Sequence, residues 1–158
     1  MANFVRQLKQ LGRKIVETGS IVDDLKKRAG EKNRRIVLCE GEDQRVVEAA
    51  LRCTEDGVAK IVLLGNAEEI KERNPEGDFT QIEIIDPTTS PKLEEYANLL
   101  YELRKAKGMT QEQAKEQAKD ATFFGALMLK AGDVDGLVSG ACHSTANTLR
   151  PGLQIIKT

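Results

Sequence analysis

The sequence has no excess of charge of either sign, because 24 basic residues face 25 acidic ones in a chain of 158. Without a basic field or a single-sign tail, the composition argues against nucleic-acid binding and against a charged docking arm. No apolar run approaches the length that crosses a bilayer, and the first residues lack the apolar core of a secretory signal. These absences predict one cytoplasmic globular domain without a nucleic-acid or membrane partner.

Cysteine and histidine are scarce. Cys39, Cys53 and Cys142 are an odd number at wide spacing, which fits reduced thiols better than a disulfide framework. His143 is the single histidine, and there is no Cys-x-x-Cys pair. The sequence offers few cysteine and histidine ligands for a zinc site, so we expect no bound metal.

Buried strands and amphipathic helices alternate along the chain. Apolar runs at 36–39, 60–64, 82–85 and 136–138 are typical of strands buried on both faces. Their alternation with helices predicts right-handed crossovers and a parallel sheet. Helical periods are predicted at 21–29, 44–56, 67–73, 91–108 and 111–130. A further amphipathic helix at about 3–18 could cover the domain or meet a partner, and covering is favoured.

An acidic segment, 40–43, follows the first strand and opens a helix. Its carboxylates could cap the free N–H groups of that helix or line a ligand site. We favour capping, with Asp43 as the cap. Arg45 could line the same ligand site or be a surface residue of the helix. Further along, Thr110 with Gln113 predicts a capping box.

The stretch after the last strand carries the strongest signs of function. Residues 139–141 form a small-residue turn at the carboxyl edge of the sheet, where ligands bind in open α/β folds. Free N–H groups at a helix start suit an anion. Arg150 adds a planar fork for phosphate or carboxylate, and hydroxyls are supplied by Ser139, Ser144, Thr145 and Thr148. An ordinary βα turn capped by Ser or Thr fits the same spacing equally well.

Two segments in this region, Val138-Ser-Gly-Ala-Cys-His-Ser-Thr and Thr148-Leu-Arg-Pro-Gly-Leu-Gln-Ile-Ile-Lys-Thr, closely resemble the signature of the phosphate acetyltransferases. Three upstream stretches, at 35–45, 60–66 and 101–110, resemble the same family in the same order. The resemblance runs from about Leu25 to the last residue. Its strength is its length and collinearity, since no single motif is unique.

This resemblance implies a three-layer αβα domain with a mostly parallel sheet, of the isocitrate/isopropylmalate dehydrogenase type. It implies reversible transfer of an acetyl group between acetyl phosphate and coenzyme A, with coenzyme A as a substrate and no cofactor or metal. By their motif positions, Arg104 and Arg150 would bind the anion and coenzyme A. Ser144 and Thr145 would hydrogen-bond the phosphate or acyl oxygen. Without the resemblance, Arg104 is interpreted as a surface arginine that complements the dipole of its helix.

The chain itself offers no convincing nucleophile. His143 and Ser144 look like a base and a nucleophile, but sequence neighbours on a helix point to different faces. Cys142 is interpreted as an inert small residue, because nothing in the sequence lowers its pKa. We therefore expect direct attack by the thiol of coenzyme A within a ternary complex.

Members of the family are much longer than this chain. The resemblance implies a second domain that supplies an aspartate as general base together with a serine–arginine pair, and a homodimer formed through that domain. Residues 1–158 are thus predicted to be the N-terminal α/β domain of a two-domain enzyme, inactive alone. The alternatives are a phosphate butyryltransferase, a non-catalytic acetyl-CoA-sensing domain like that of some malic enzymes, and a binding module of unknown ligand.

Overall fold

Four parallel strands form the centre of the fold. The computed structural model describes residues 21–156. The strands are β1 (Arg35–Leu38), β2 (Lys60–Leu64), β3 (Glu83–Ile85) and β4 (Gly136–Val138), and they pair in the order β3-β2-β1-β4. All three pairings are parallel, which confirms the predicted parallel sheet. β1 is therefore central, with β2 on one side and β4 on the other.

Helices connect these strands and cover them. They are α1 (Ile21–Lys32), α2 (Gln44–Glu55), α3 (Ala67–Arg73), α4 (Leu93–Arg104), α5 (Gln111–Ala118), α6 (Ala121–Ala131) and α7 (Thr145–Pro151). A 3₁₀ turn, Lys105–Lys107, extends α4, and a π-helical turn, Gly152–Ile156, extends α7. Across residues 21–156, none of the helices combines the length and apolar character needed to cross a membrane.

The core consists of two apolar layers, because alternate strand residues point to opposite faces of the sheet. On one face, Leu38 and Leu63 pack with residues of α2 and α3, namely Val47, Ala50 and Ile70. On the other face, Val37 and Leu64 pack with residues of α4 and α6, namely Tyr96, Leu100, Phe124, Leu127 and Met128. The fold is thus the three-layer αβα arrangement predicted for the chain.

α6 approaches the sheet closely at Gly125, which leaves no room for a side chain unless a neighbour shifts. A Cβ added to Gly125 would lie 2.7 Å from Sγ of Cys39 and 3.1 Å from Cδ1 of Leu137. Since real Cβ atoms do not approach sulfur at such a distance, a larger residue would push α6 away from β1 and β4.

The helix predicted at 111–130 is in fact two helices. Thr110 opens α5 with the predicted capping box, in which its Oγ1 accepts from the N–H of Gln113 at 3.2 Å and Oε1 of Gln113 accepts from the N–H of Thr110 at 2.9 Å. α5 ends at Ala118, and Asp120 then caps α6. The carboxylate of Asp120 accepts two backbone N–H groups, an alternative to continued helix that aspartate offers readily.

Two other helix boundaries differ from the predictions. α1 continues past Gly30 to Lys32, and the chain leaves it at Asn33, which has a φ of 46°. α4 begins at Leu93, two residues later than predicted, after a turn in which Oγ of Ser90 accepts from the N–H of Lys92. The helix predicted at 3–18 lies outside the described residues.

Candidate functional site

The loop after β4 is held by a carboxylate from the neighbouring strand. Glu40 lies two residues beyond the end of β1 and is only 1% exposed. Its Oε2 accepts the N–H groups of Gly140 and Ala141, both at 2.8 Å. Its Oε1 accepts those of Cys142 at 3.0 Å and His143 at 3.1 Å. The N–H groups that the sequence suggested for an anionic ligand therefore bind the protein's own carboxylate.

These four bonds decide the charge of Glu40. Burial alone would raise the pKa of this carboxyl group, but the backbone N–H donors outweigh burial and lower the pKa to about 2. A carboxylate offers about four lone-pair positions, two on each oxygen. All four are used here, so Glu40 is ionised at neutral pH and fully satisfied.

Glu40 does not cap α2, which corrects the interpretation favoured from the sequence for this residue. Asp43 does cap it, as predicted, by accepting from the N–H of Arg45 at 2.9 Å. The Arg45 side chain also binds Asp43, and these contacts lower the pKa of that carboxyl group to about 2. Nη2 of Arg45 donates to the carbonyl of Ala141 at 2.8 Å. Arg45 thus ties the start of α2 to the loop at 139–143.

The loop leads directly into α7 through Ser144. Gly140 has a φ of 111°, a backbone conformation that favours glycine, and it lets the chain turn its N–H groups towards Glu40. Oγ of Ser144 accepts the N–H of Asn147 at 3.3 Å and so caps α7. The Ser144 hydroxyl proton remains available for donation to a ligand, because the cap uses only an acceptor position. Thr145 is exposed at the first position of the helix.

His143 lies between two carboxylates. Its Nδ1 is 3.1 Å from Oε1 of Glu40, and its Nε2 is 3.4 Å from Oε1 of Glu42. The contact with Glu40 lacks hydrogen-bond geometry, so the buried Nδ1 has no hydrogen-bond partner in the described part of the chain. No hydrogen bond joins His143 to the Ser144 hydroxyl within residues 21–156, and His143 lies in the loop before α7.

Cys142 is exposed beside the same two carboxylates. Its Sγ lies 3.6 Å from Oε1 of Glu40 and 3.6 Å from Oε1 of Glu42. Partial burial and the negative charges of Glu42 and Glu40 raise the pKa of the thiol to about 11. This raised pKa disfavours the thiolate form of Cys142 at neutral pH.

Three potential metal ligands meet in this loop. Donor atoms of Glu40, Cys142 and His143 all lie within 4.8 Å of one another. However, both oxygens of Glu40 already accept two N–H groups each. A cation bound here would have to displace backbone donors from Glu40, and this cost disfavours metal binding.

Arg104 lines a cavity and has one unsatisfied hydrogen-bond donor. It is half-buried at the end of α4 and lines a cavity of about 540 Å³ together with Lys107, Met109 and Gln113. Its Nε is buried, and none of the residues 21–156 accepts a hydrogen bond from it. Leaving a buried polar group unpaired costs about 1–3 kcal/mol, so a ligand that supplies an acceptor would be stabilised here.

Arg150 lies beside a second, smaller cavity. It is exposed on α7 and lines a cavity of about 280 Å³ with Asn147, Asp120 and Phe123. Gln117 borders both this cavity and that of Arg104. Among the described residues, those that line these two cavities do not include Ser144 or Thr145. The structure thus brings the two arginines to adjoining cavities and leaves the two hydroxyls at the opposite end of α7 from Arg150.

A cavity of about 430 Å³ lies elsewhere, at the C-terminal end of α2, and its lining includes Glu55, Glu76 and Asp78. Three carboxylates disfavour an anionic ligand there.

Parallel strands that carry helices on both faces of the sheet define an open α/β domain. In this class of protein, ligands bind at the carboxyl edge of the sheet. The chain belongs to the phosphate acetyl/butaryl transferase family, to which residues 20–158 match.

Relatives and solved structures agree with this membership. The chain is 50% identical over 139 residues to the phosphate acetyltransferase of Acetivibrio thermocellus, covering 88% of this chain and 42% of the relative. It is 49% identical over 138 residues to the phosphate acetyltransferase of Escherichia coli, and the match covers 85% of this chain and 19% of the relative. Its structure resembles a phosphotransacetylase from Streptococcus pyogenes (TM-score 0.81, 38% identity, covering 88% and 44%). It also resembles the EutD phosphotransacetylase from Staphylococcus aureus (TM-score 0.77, 42% identity, covering 85% and 41%). The chain therefore spans less than half the length of these proteins.

Proposed function

We propose that this chain is one domain of an enzyme that transfers an acetyl group reversibly between acetyl phosphate and coenzyme A. The observation that carries the proposal is the buried, unpartnered Nε of Arg104 beside a cavity of about 540 Å³. It occurs in a chain that is 50% identical to a phosphate acetyltransferase over 139 residues. Arginine suits phosphate because its guanidinium stays charged and binds through a planar fork.

In this proposal Arg104 and Arg150 bind the phosphate groups of acetyl phosphate and coenzyme A from their adjoining cavities. Ser144 donates its hydroxyl proton to a phosphate or acyl oxygen, and Thr145 contributes the next hydroxyl on the same helix. Coenzyme A acts as a substrate and not as a bound cofactor. The complete enzyme is proposed to work in the cytoplasm as a homodimer.

The reaction is proposed to be a direct transfer. The thiolate sulfur of coenzyme A attacks the acetyl carbon, a C–S bond forms, and the bond from that carbon to the phosphate oxygen breaks. Phosphate leaves with the electron pair, and the thiol proton passes to a general base. A protonated Cys142, with its pKa of about 11, supports direct transfer over an acyl-cysteine intermediate. We assign no catalytic residue within this chain, and the general base is proposed to lie beyond residues 1–158.

The test is phosphate-dependent cleavage of acetyl-CoA by the full-length protein. Arg150→Ala is expected to lower kcat/KM by about 30-fold or more, because truncating one partner of a charge-paired contact costs about 2–5 kcal/mol. Arg52→Ala, which removes an exposed arginine of α2, is the matched control and should keep full activity. The 158-residue chain alone is expected to show no turnover.

Two results would contradict this scheme separately. Full activity in Arg150→Ala would remove Arg150 from the binding site. A wild-type protein that forms no acetyl phosphate from acetyl-CoA and phosphate would overturn the proposed function itself.

A further inference from the structure

We propose that Glu40 is a positioning residue of the acyl-transfer site, whose carboxylate sets the loop at 139–144 from which α7 and its hydroxyls extend. This inference rests on the function proposed above. It adds a residue that contacts no substrate in the proposed scheme and acts through the backbone of the loop.

The carboxylate is itself rigidly placed. Glu40 follows the central strand β1 and is 1% exposed, so its side chain cannot move without disturbing the core. Each oxygen accepts two N–H groups of consecutive loop residues, at 2.8–3.1 Å. Hydrogen bonds to an ionised acceptor are roughly twice as strong as those between neutral groups. Four such bonds fix the path of the loop at 140–143.

That path determines where α7 begins. The last amide bound by Glu40 belongs to His143, and the next residue, Ser144, caps α7. α7 then carries Thr145 at its start and Arg150 near its end. The carboxylate of Glu40 therefore sets the position of three residues assigned to substrate binding. A misplacement of about 1 Å can lower an enzymatic rate by about 100-fold.

Glu40 also decides which donors a phosphate can reach. Four consecutive backbone N–H groups would otherwise form an anion-binding concavity. Because an ionised carboxylate fills that concavity, an incoming phosphate is excluded from it and directed towards the arginine side chains. The same bonds thus shape the loop and close it to anions.

Glu40→Gln tests this role, with Glu42→Gln as the matched control. The amide keeps the size of the side chain, but its NH₂ group faces two backbone N–H donors that need an acceptor. Glu42 is a neighbouring carboxylate whose side chain is 52% exposed, and within the described range it accepts no N–H group of the loop. The control therefore removes a nearby negative charge and alters the contacts of Glu42 with Sγ of Cys142 and Nε2 of His143, but it leaves the four backbone N–H bonds of the loop in place.

The variants are compared in the full-length protein by two measurements. Hydrogen exchange with mass spectrometry should show peptides that contain residues 140–143 exchanging at least about 10-fold faster in Glu40→Gln. Kinetics measured well below the midpoint temperature of thermal unfolding should show that kcat of Glu40→Gln is about 100-fold lower than that of the wild type. The KM for coenzyme A should rise as well, because Arg150, which the proposed scheme assigns to phosphate binding, lies on α7. Glu42→Gln should match the wild type in both measurements.

A residue that only stabilised the fold would leave kcat of the folded enzyme unchanged. If Glu40→Gln accelerates loop exchange but keeps kcat within about twofold, the positioning role is wrong while the proposed function survives. Equal effects of Glu40→Gln and Glu42→Gln would also overturn it. A wild type without acetyl transfer would instead overturn the proposed function, and with it any catalytic role for Glu40. Should Glu40→Gln not fold, Glu40→Asp, with a shorter charged side chain, should likewise lower kcat.

Discussion

Glu40 and Arg104 both place charged-group atoms out of contact with solvent, yet the hydrogen bonding of these atoms differs. The Glu40 carboxylate accepts four N–H groups and has no capacity left for a ligand. The Nε of Arg104, in contrast, has no acceptor among residues 21–156. Since an unpaired buried donor is costly, Arg104 is the group that a ligand would satisfy, whereas Glu40 shapes the site.

Cys142 should react slowly with alkylating reagents although it is exposed. Its pKa of about 11, against an ordinary value of 9.0, reduces the thiolate fraction at pH 7 by about 100-fold. Iodoacetamide labelling followed by mass spectrometry should therefore be slow at pH 7 and accelerate until about pH 11. Glu42→Gln should speed the reaction at pH 7, because it removes one of the charges that raise the pKa. Fast labelling of the wild type at pH 7 would show that the thiol is activated.

Gly125 is a position in α6 where packing against the sheet is tight. Gly125→Ala should destabilise the protein by about 1–3 kcal/mol, the usual cost of overpacking a core, because its Cβ would lie 2.7 Å from Sγ of Cys39. Gly152→Ala is the control, since a Cβ there meets nothing within 4 Å and alanine favours helix. Urea unfolding followed by circular dichroism measures both. An equal stability of the two variants would mean that α6 can shift to make room.

Helix starts were predictable where a cap and its partner are close in sequence. Asp43 and Thr110 each accept an N–H group two or three residues ahead, so local spacing was sufficient. Asp120 is also a local cap, but the apolar pattern that continues after it favoured one long helix. The roles of Glu40 and Arg45 in the loop could not be read locally, because their partners lie about 100 residues away. The available signal for the role of Glu40 was its position. It follows a predicted buried strand directly and precedes Asp43, the true cap of α2, by three residues.

Acid should destabilise the whole molecule through Glu40. Its pKa falls from an ordinary 4.5 to about 2 on folding, so its contribution is fully present above about pH 4.5 and is lost as the pH falls towards 2. The shift corresponds to about 3 kcal/mol. Free energies of unfolding from urea titrations between pH 2 and 6 should therefore rise with pH in the wild type. The free energy of unfolding of Glu40→Gln should rise less steeply with pH. An identical slope in both proteins would contradict the lowered pKa of Glu40.

The parallel order of the sheet has a consequence for the newly made chain. β1 is central, but β4, which covers one of its sides, comes about 100 residues later. At about 5–20 residues per second, translation leaves that side of β1 uncovered for about 5–20 s. During this interval Glu40 has none of its four N–H donors, because the carboxylate that holds the loop is synthesised well before residues 140–143.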